Sequence, residues 1–216
     1  MTAAPPRPSL RGWTHLATVP PAIAGAIVLV AISGGNVARQ ISLGVYGVSI
    51  VLLFAVSASY HRGPWSPRTR RVWRRLDHAT IFVAIAGTYT PVVVNVLQGW
   101  PSIVLLVAIW VLAISGVVVA TTGVPLPRWV TVVLYIAVAC TVVFFLPALA
   151  DRIHASGVII LLTGGALYSA GAVVYAVKWP RLWPRVFGYH EVFHIFVIAA
   201  TAVYFVFITA TVAVPR

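Results

Sequence analysis

The chain has 216 residues, of which 61% are hydrophobic and only 8% charged, and its mean hydropathy is +0.99. Fifteen basic and three acidic side chains are too few to coat a water-soluble globule of this size, since such domains carry about 25% charged residues. An ordinary cytosolic enzyme, a disordered chain and a disulfide-stapled secreted domain are thereby excluded, the last because Cys140 stands alone.

Seven stretches are long and apolar enough to cross a bilayer, which takes about 20 residues per helix. In chain order they run 14–33, 41–60, 76–97, 101–121, 128–149, 156–177 and 189–213. Breakers separate them: Ser33-Gly34-Gly35-Asn36, Gly63-Pro64 with Ser66-Pro67, Gly99-Trp100-Pro101, Gly123 to Pro127, Asp151 to Ser156, and Trp179-Pro180 to Pro184. None alternates with period two, which argues against a membrane β-barrel. The expected architecture is all-α: a seven-transmembrane-helix bundle at 14–213, preceded by a short cytoplasmic tail at 1–13. Pro20 and Pro21 are expected to kink the first helix rather than end it. No cleavable signal is expected, because the first apolar run is too long and lacks a small-residue cleavage site.

The net charge of +12 suggests nucleic acid in a soluble protein. Here the cations lie between apolar segments, so no nucleic-acid partner is expected and the pattern reads as an orientation signal. Twelve Lys and Arg fall on one side: Arg7 and Arg11; Arg62, Arg68, Arg70, Arg71, Arg74 and Arg75; Arg128; Lys178, Arg181 and Arg185. Only Arg39, Arg152 and Arg216 fall on the other. The rule predicts a multi-pass plasma-membrane protein with its N-terminus cytoplasmic and its C-terminus outside.

Ionisable groups at membrane depth cost about 2.5–3.5 kcal/mol each at a helix centre and default to function. The acids are Asp77, Asp151 and Glu191, and the histidines His15, His61, His78, His154, His190 and His194. Most fall in two windows, Ser57 to His61 followed by Leu76 to Thr80, and Gly188 to His194. Ser57 and His61 are four apart and share a face of the second helix, as His190 and His194 do on the seventh. Asp77 opens the third helix. The predicted topology brings these five residues to one membrane depth.

Two histidines at i, i+4 can share a metal ion. A third completes the three-histidine set of a catalytic zinc and leaves one position for water. A nearby carboxylate can act as general base, and a serine can orient a ligand or donate to an oxyanion. Plainer readings stand beside these. The HxxxH spacing alone is weak; Asp77 also reads as the helix N-cap or as a partner for Arg74; Ser57 also reads as a helix-packing serine. Glu191 projects about 100° off the histidine face and reads as an interfacial salt bridge. His78 reads as packing, and His15 and His154 as solvated.

Ser57-x3-His61, the run Leu76-Asp77-His78-Ala79-Thr80 through Gly87-Thr88-Tyr89-Thr90-Pro91, and Phe187-Gly188-Tyr189-His190-Glu191-Val192-Phe193-His194 closely resemble the bacterial hemolysin III family. That family is grouped with the progestin and adipoQ (adiponectin) receptors and, more distantly, the alkaline ceramidases. The resemblance implies a zinc ion near the cytoplasmic face, with His61, His190 and His194 as metal ligands. It also implies that Asp77 holds the metal-bound water, with Ser57 nearby. One departure is visible. Many bacterial members carry an acid and an asparagine shortly before the first-helix histidine, and Pro8 to Thr14 contains neither.

The resulting expectation is a zinc-dependent intramembrane hydrolase that cleaves an amide or ester bond of a membrane lipid. The competing reading is a non-enzymatic, receptor-like sensor of membrane homeostasis with a structural zinc. A channel or hemolysin fits less well, because the fourth and fifth spans lack polar faces. The charge asymmetry generates a direct test: a reporter fused to the C-terminus is expected to be active only when it requires export from the cytoplasm. Activity of a cytoplasm-only reporter would reverse the topology.

Overall fold

The computed structural model of the protein describes residues 8–124, 126–180, 182–183 and 185–213. Arg7, Arg181 and Arg216, which enter the charge count, lie outside the described residues. The helices are α1 (Trp13–Ala31), α2 (Val37–Arg62), α3 (Pro67–Asn95) and α4 (Trp100–Thr122). The fifth span combines α5 (Arg128–Ala139), a 3-10 stretch (Cys140–Phe145) and α6 (Leu146–Ala150). Then come α7 (Ala155–Val177) and α8 (Tyr189–Ile208), the latter continued by a π turn (Thr209–Ala213). No strand occurs among the described residues.

All seven spans are long and apolar enough to cross a membrane. Their outer faces are incompatible with water. On α4, Ile103, Val107, Ile114 and Val118 are all more than half exposed and form a stripe that only lipid tolerates. The protein is an all-α, multi-pass membrane protein.

Local sequence explains where two of the helices begin. The Asn36 side chain accepts from the Arg39 N–H at 2.9 Å and caps α2. Ser66 accepts from the Thr69 N–H at 3.3 Å, and Pro67 occupies the first turn of α3. That cap corrects the expected start of the third helix. α3 begins nine residues earlier than the apolar pattern indicated, so Arg68 to Arg75 ride on helix rather than loop. Asp77 is therefore interior to α3, and the N-cap reading is overturned. The helix α1 runs through Pro20 and Pro21 without ending.

Inside the bundle, α2 packs against α1 and α3, α3 against α4, and α7 against α8, which also reaches α1 and α3. Leu29, Leu43, Phe54, Phe207 and Ile208 are fully buried where these helices meet. Close approach is set by glycine. A Cβ on Gly87 would collide with the Ser49 side chain across the α2–α3 contact. On α7, a Cβ at Gly164 would meet the Tyr204 ring and one at Gly171 the Phe196 side chain, each at 2.7 Å. These small residues serve packing between α7 and α8.

The break in the fifth span has no apolar-pattern signal. Side chains serve its freed backbone groups: the Tyr89 hydroxyl accepts from the Val142 N–H at 3.0 Å and donates to the Ala139 carbonyl at 2.5 Å, and the Thr141 hydroxyl donates to the Val138 carbonyl at 2.8 Å. Non-helical backbone survives at membrane depth only when protein supplies such partners. Tyr89→Phe is therefore expected to destabilise the protein by about 1–3 kcal/mol, the cost of stranding buried polar groups. A fall in Tm of the detergent-solubilised protein would report it, and an unchanged Tm would contradict it.

Candidate metal centre

Four helices deliver polar side chains to one end of the bundle. α2 brings Ser57 and His61, α3 brings Asp77, α8 brings His190 and His194, and α1 brings His15. The i, i+4 spacing on α2 and α8 places each pair on one face. The Nε2 atoms of His61 and His190 are 3.1 Å apart. One ligand nitrogen each from His61, His190 and His194 all lie within 4.8 Å of one another. The His61 Nε2 is 4.0 Å from Asp77 Oδ2, and Asp77 is hydrogen-bonded by Ser57. Ser57 and His194 are buried, at 3% and 1% exposure.

The donor set fits a metal ion. Three imidazole lone pairs converge in a buried space, and the His194 Nδ1 has no hydrogen-bond partner. Two Nε2 atoms in contact satisfy each other only if one carries a proton and the other does not. A shared cation removes that conflict. The ligand nitrogens of a tetrahedral zinc lie about 3.3 Å apart at ordinary Zn–N lengths, close to the 3.1 Å between the His61 and His190 Nε2 atoms. The three histidines are arranged so that they can hold a metal ion.

Two residues lie differently from the sequence reading, and one of them, His15, belongs to this centre. His15 is not solvated. It is 2% exposed, and its ring stacks on His194 with centroids 3.7 Å apart and planes 9° off parallel. Phe54 meets it edge-on at 5.0 Å, and neither ring nitrogen makes a hydrogen bond of ordinary geometry. Glu191 does form an ion pair, but a fully buried one, and its partner is Arg11 just before α1. Its other oxygen accepts from the Gly188 N–H at 2.8 Å, so the carboxylate locks the start of α8 and is not part of the histidine cluster. His78 contributes its carbonyl, which accepts from the Tyr135 hydroxyl at 3.1 Å. His154 is exposed, just before α7.

A family model described as "Haemolysin-III related" matches residues 4–205. The chain belongs to the haemolysin-III-related family. The "Hemolysin-3" of Bacillus cereus is 31% identical over 179 residues, which are 83% of this chain and 78% of that protein. The "Hemolysin-3 homolog" of Bacillus subtilis (strain 168) is 28% identical over 179 residues, 83% of this chain and 81% of that one. In this haemolysin-III-related chain the segment just before α1 packs onto the site. Arg11 reaches across to Glu191, and Gly12 lets the chain pass against His61. Gly12 has φ +80°, and a Cβ there would come within 2.6 Å of the His61 Cβ.

That contact generates a prediction. Gly12→Ala must bear both the left-handed backbone and the clash, an expected cost of about 1–3 kcal/mol. Tm is expected to fall, and bound metal to fall with it, because the displaced group carries His61. Unchanged Tm and metal content would show that the backbone before α1 relaxes freely.

Proposed function

We propose that the protein is a zinc-dependent intramembrane hydrolase acting on an amide or ester bond of a membrane lipid. The observation that supports this most is the convergence of three imidazole nitrogens beside a carboxylate, at the edge of a seven-helix membrane bundle. His61, His190 and His194 are the proposed zinc ligands. A three-nitrogen donor set leaves a coordination position open, as catalytic rather than structural zinc sites do.

Zinc held there would supply Lewis-acid polarisation and activation of water. The remaining chemistry falls to the chain's own groups. Asp77 takes the proton released as water adds to the acyl carbon, and returns it to the leaving oxygen or nitrogen. Ser57 fixes the carboxylate by donating to it, so that one oxygen stays turned towards His61. His15 and Phe54 close the far side of the His194 ring and keep bulk water out. The proposed orientation puts this chemistry at the cytoplasmic end, reached by a lipid from the surrounding leaflet.

The competing assignment, a receptor-like sensor with structural zinc, would gain from a fourth protein ligand. Asp77 is the carboxylate beside the cluster, so the deciding experiment centres on it. Purified protein is expected to carry one zinc per chain, lost in the His190→Ala, His194→Ala double variant. Asp77→Asn keeps the hydrogen-bonding shape and removes the base. It is expected to retain zinc while losing hydrolysis of a panel of acylated lipids by about 10²–10⁴-fold. Zinc loss in Asp77→Asn would make the aspartate a ligand, and wild-type protein that binds zinc without turnover would favour the sensor.

A further inference from the structure

Arg128, the first residue of α5, stands near the histidine cluster and has no acidic partner among the described residues. Its guanidinium lies over the Tyr175 ring at 4.7 Å and towards the Tyr189 ring at 5.7 Å. Nη1 donates to the Tyr175 carbonyl and to the Tyr189 hydroxyl, both at 3.4 Å. Both bonds use the same nitrogen. The Nε–Nη2 edge, whose two parallel N–H groups match two oxygens of a phosphate or carboxylate, makes no hydrogen bond among the described residues.

The chain cannot supply the missing anion from its side chains. It has three acids. Glu191 is taken by Arg11 and the Gly188 N–H. Asp77 is engaged by Ser57 and faces His61. Asp151 follows α6, at the opposite end of the fifth span. A half-buried guanidinium between two aromatic rings is oriented and partly desolvated, conditions in which its attraction for an anion is strongest. A cap on the end of α7 accounts for Nη1 alone.

Its position ties it to the centre. Tyr175 meets the His190 ring edge-on at 5.6 Å, and Tyr189 lies 6.3 Å from the same ring. Arg128 is close enough for its charge to act on both His190 and His78. One layer of tyrosine therefore separates the free guanidinium edge from the histidines. The arginines at the end of α2 and the start of α3 differ: Arg62, Arg68, Arg71 and Arg74 are exposed and suit bulk head groups.

We propose that Arg128, clamped by Tyr175 and Tyr189, binds the anionic head group of the lipid handled at the histidine cluster, so that the ligand is a phosphate- or carboxylate-bearing lipid. This rests on the cluster being a lipid-handling site, as proposed above, but it concerns binding and requires no turnover.

The test uses the full chain in phosphatidylcholine nanodiscs, with retention of added lysophosphatidic acid and lysophosphatidylcholine read by native mass spectrometry. Wild type is expected to favour the phosphate monoester by about tenfold, the scale of a bidentate charged contact. Arg128→Gln is expected to bring the two probes to parity. Arg128→Lys, which keeps the charge without the fork, should retain only part of the preference. Arg71→Gln is expected to leave it intact. Zinc content, read in parallel, should be the same in all three variants. Preference surviving in Arg128→Gln, or lost equally in Arg71→Gln, would overturn the assignment. Displacement of the lipid probe by an equal concentration of inorganic phosphate would assign the fork to free phosphate and overturn its lipid source. Protein that binds the probe through Arg128 but cleaves nothing would count against the hydrolase, not against this site.

Discussion

A polar group inside a bilayer has no water to fall back on, and stranding one costs several kcal/mol. This protein meets that constraint with very few ions, since it has only three acidic side chains. Many of its buried polar groups therefore pair with one another, whereas the His15 ring nitrogens and the His194 Nδ1 stay without a hydrogen bond of ordinary geometry. Histidines stack on or face histidines, a serine bonds the aspartate, and the one fully buried carboxylate takes a guanidinium and a backbone N–H. The result is a concentrated polar centre at one end of a largely apolar bundle.

The same constraint acts far from that centre. Where the fifth span leaves regular helix, one tyrosine hydroxyl serves two of the freed backbone groups. Thr90 bonds the Ala86 carbonyl and accepts from the Trp110 indole at 3.1 Å, joining α3 to α4. Asn95 spans to Ser42 of α2 at 2.9 Å. α3 thus carries most of the polar ties in the bundle, from Asp77 at one end to Asn95 at the other. Gly87 lies between them, where α2 comes nearest.

How much of this was legible in the sequence follows from what each signal measures. Hydropathy over about 20 residues reports lipid exposure, so all seven spans were readable. It reports nothing about a helix that continues beyond the membrane, and Arg68 to Arg75 were read as loop although Ser66-Pro67 spelled out a helix start. Spacing of i, i+4 joins residues within one helix, which found Ser57 with His61 and His190 with His194. It is blind to contacts between helices far apart in sequence, so His15 was missed as a neighbour of His194. Glu191 was read correctly as ion-paired, but its partner and depth depend on how the chain before α1 crosses α8. The break at Cys140–Phe145 lies in a run of apolar residues, and its only trace is the distant Tyr89.

The ion pair of Arg11 with Glu191 joins residues 180 positions apart, and the His15–His194 stack joins the same two ends of the chain. Chains are made and inserted from the N-terminus, so the first helix waits in the bilayer until the last has left the ribosome. Until then Arg11 and His15 lack their partners, and His61 lacks both other histidines of its cluster. A metal ion held by all three histidines can be captured only once α8 is in place. A chain truncated before α8 holds six spans and keeps His15, Ser57, His61 and Asp77, but it lacks His190, His194 and Glu191, so the centre closes only when the final helix docks.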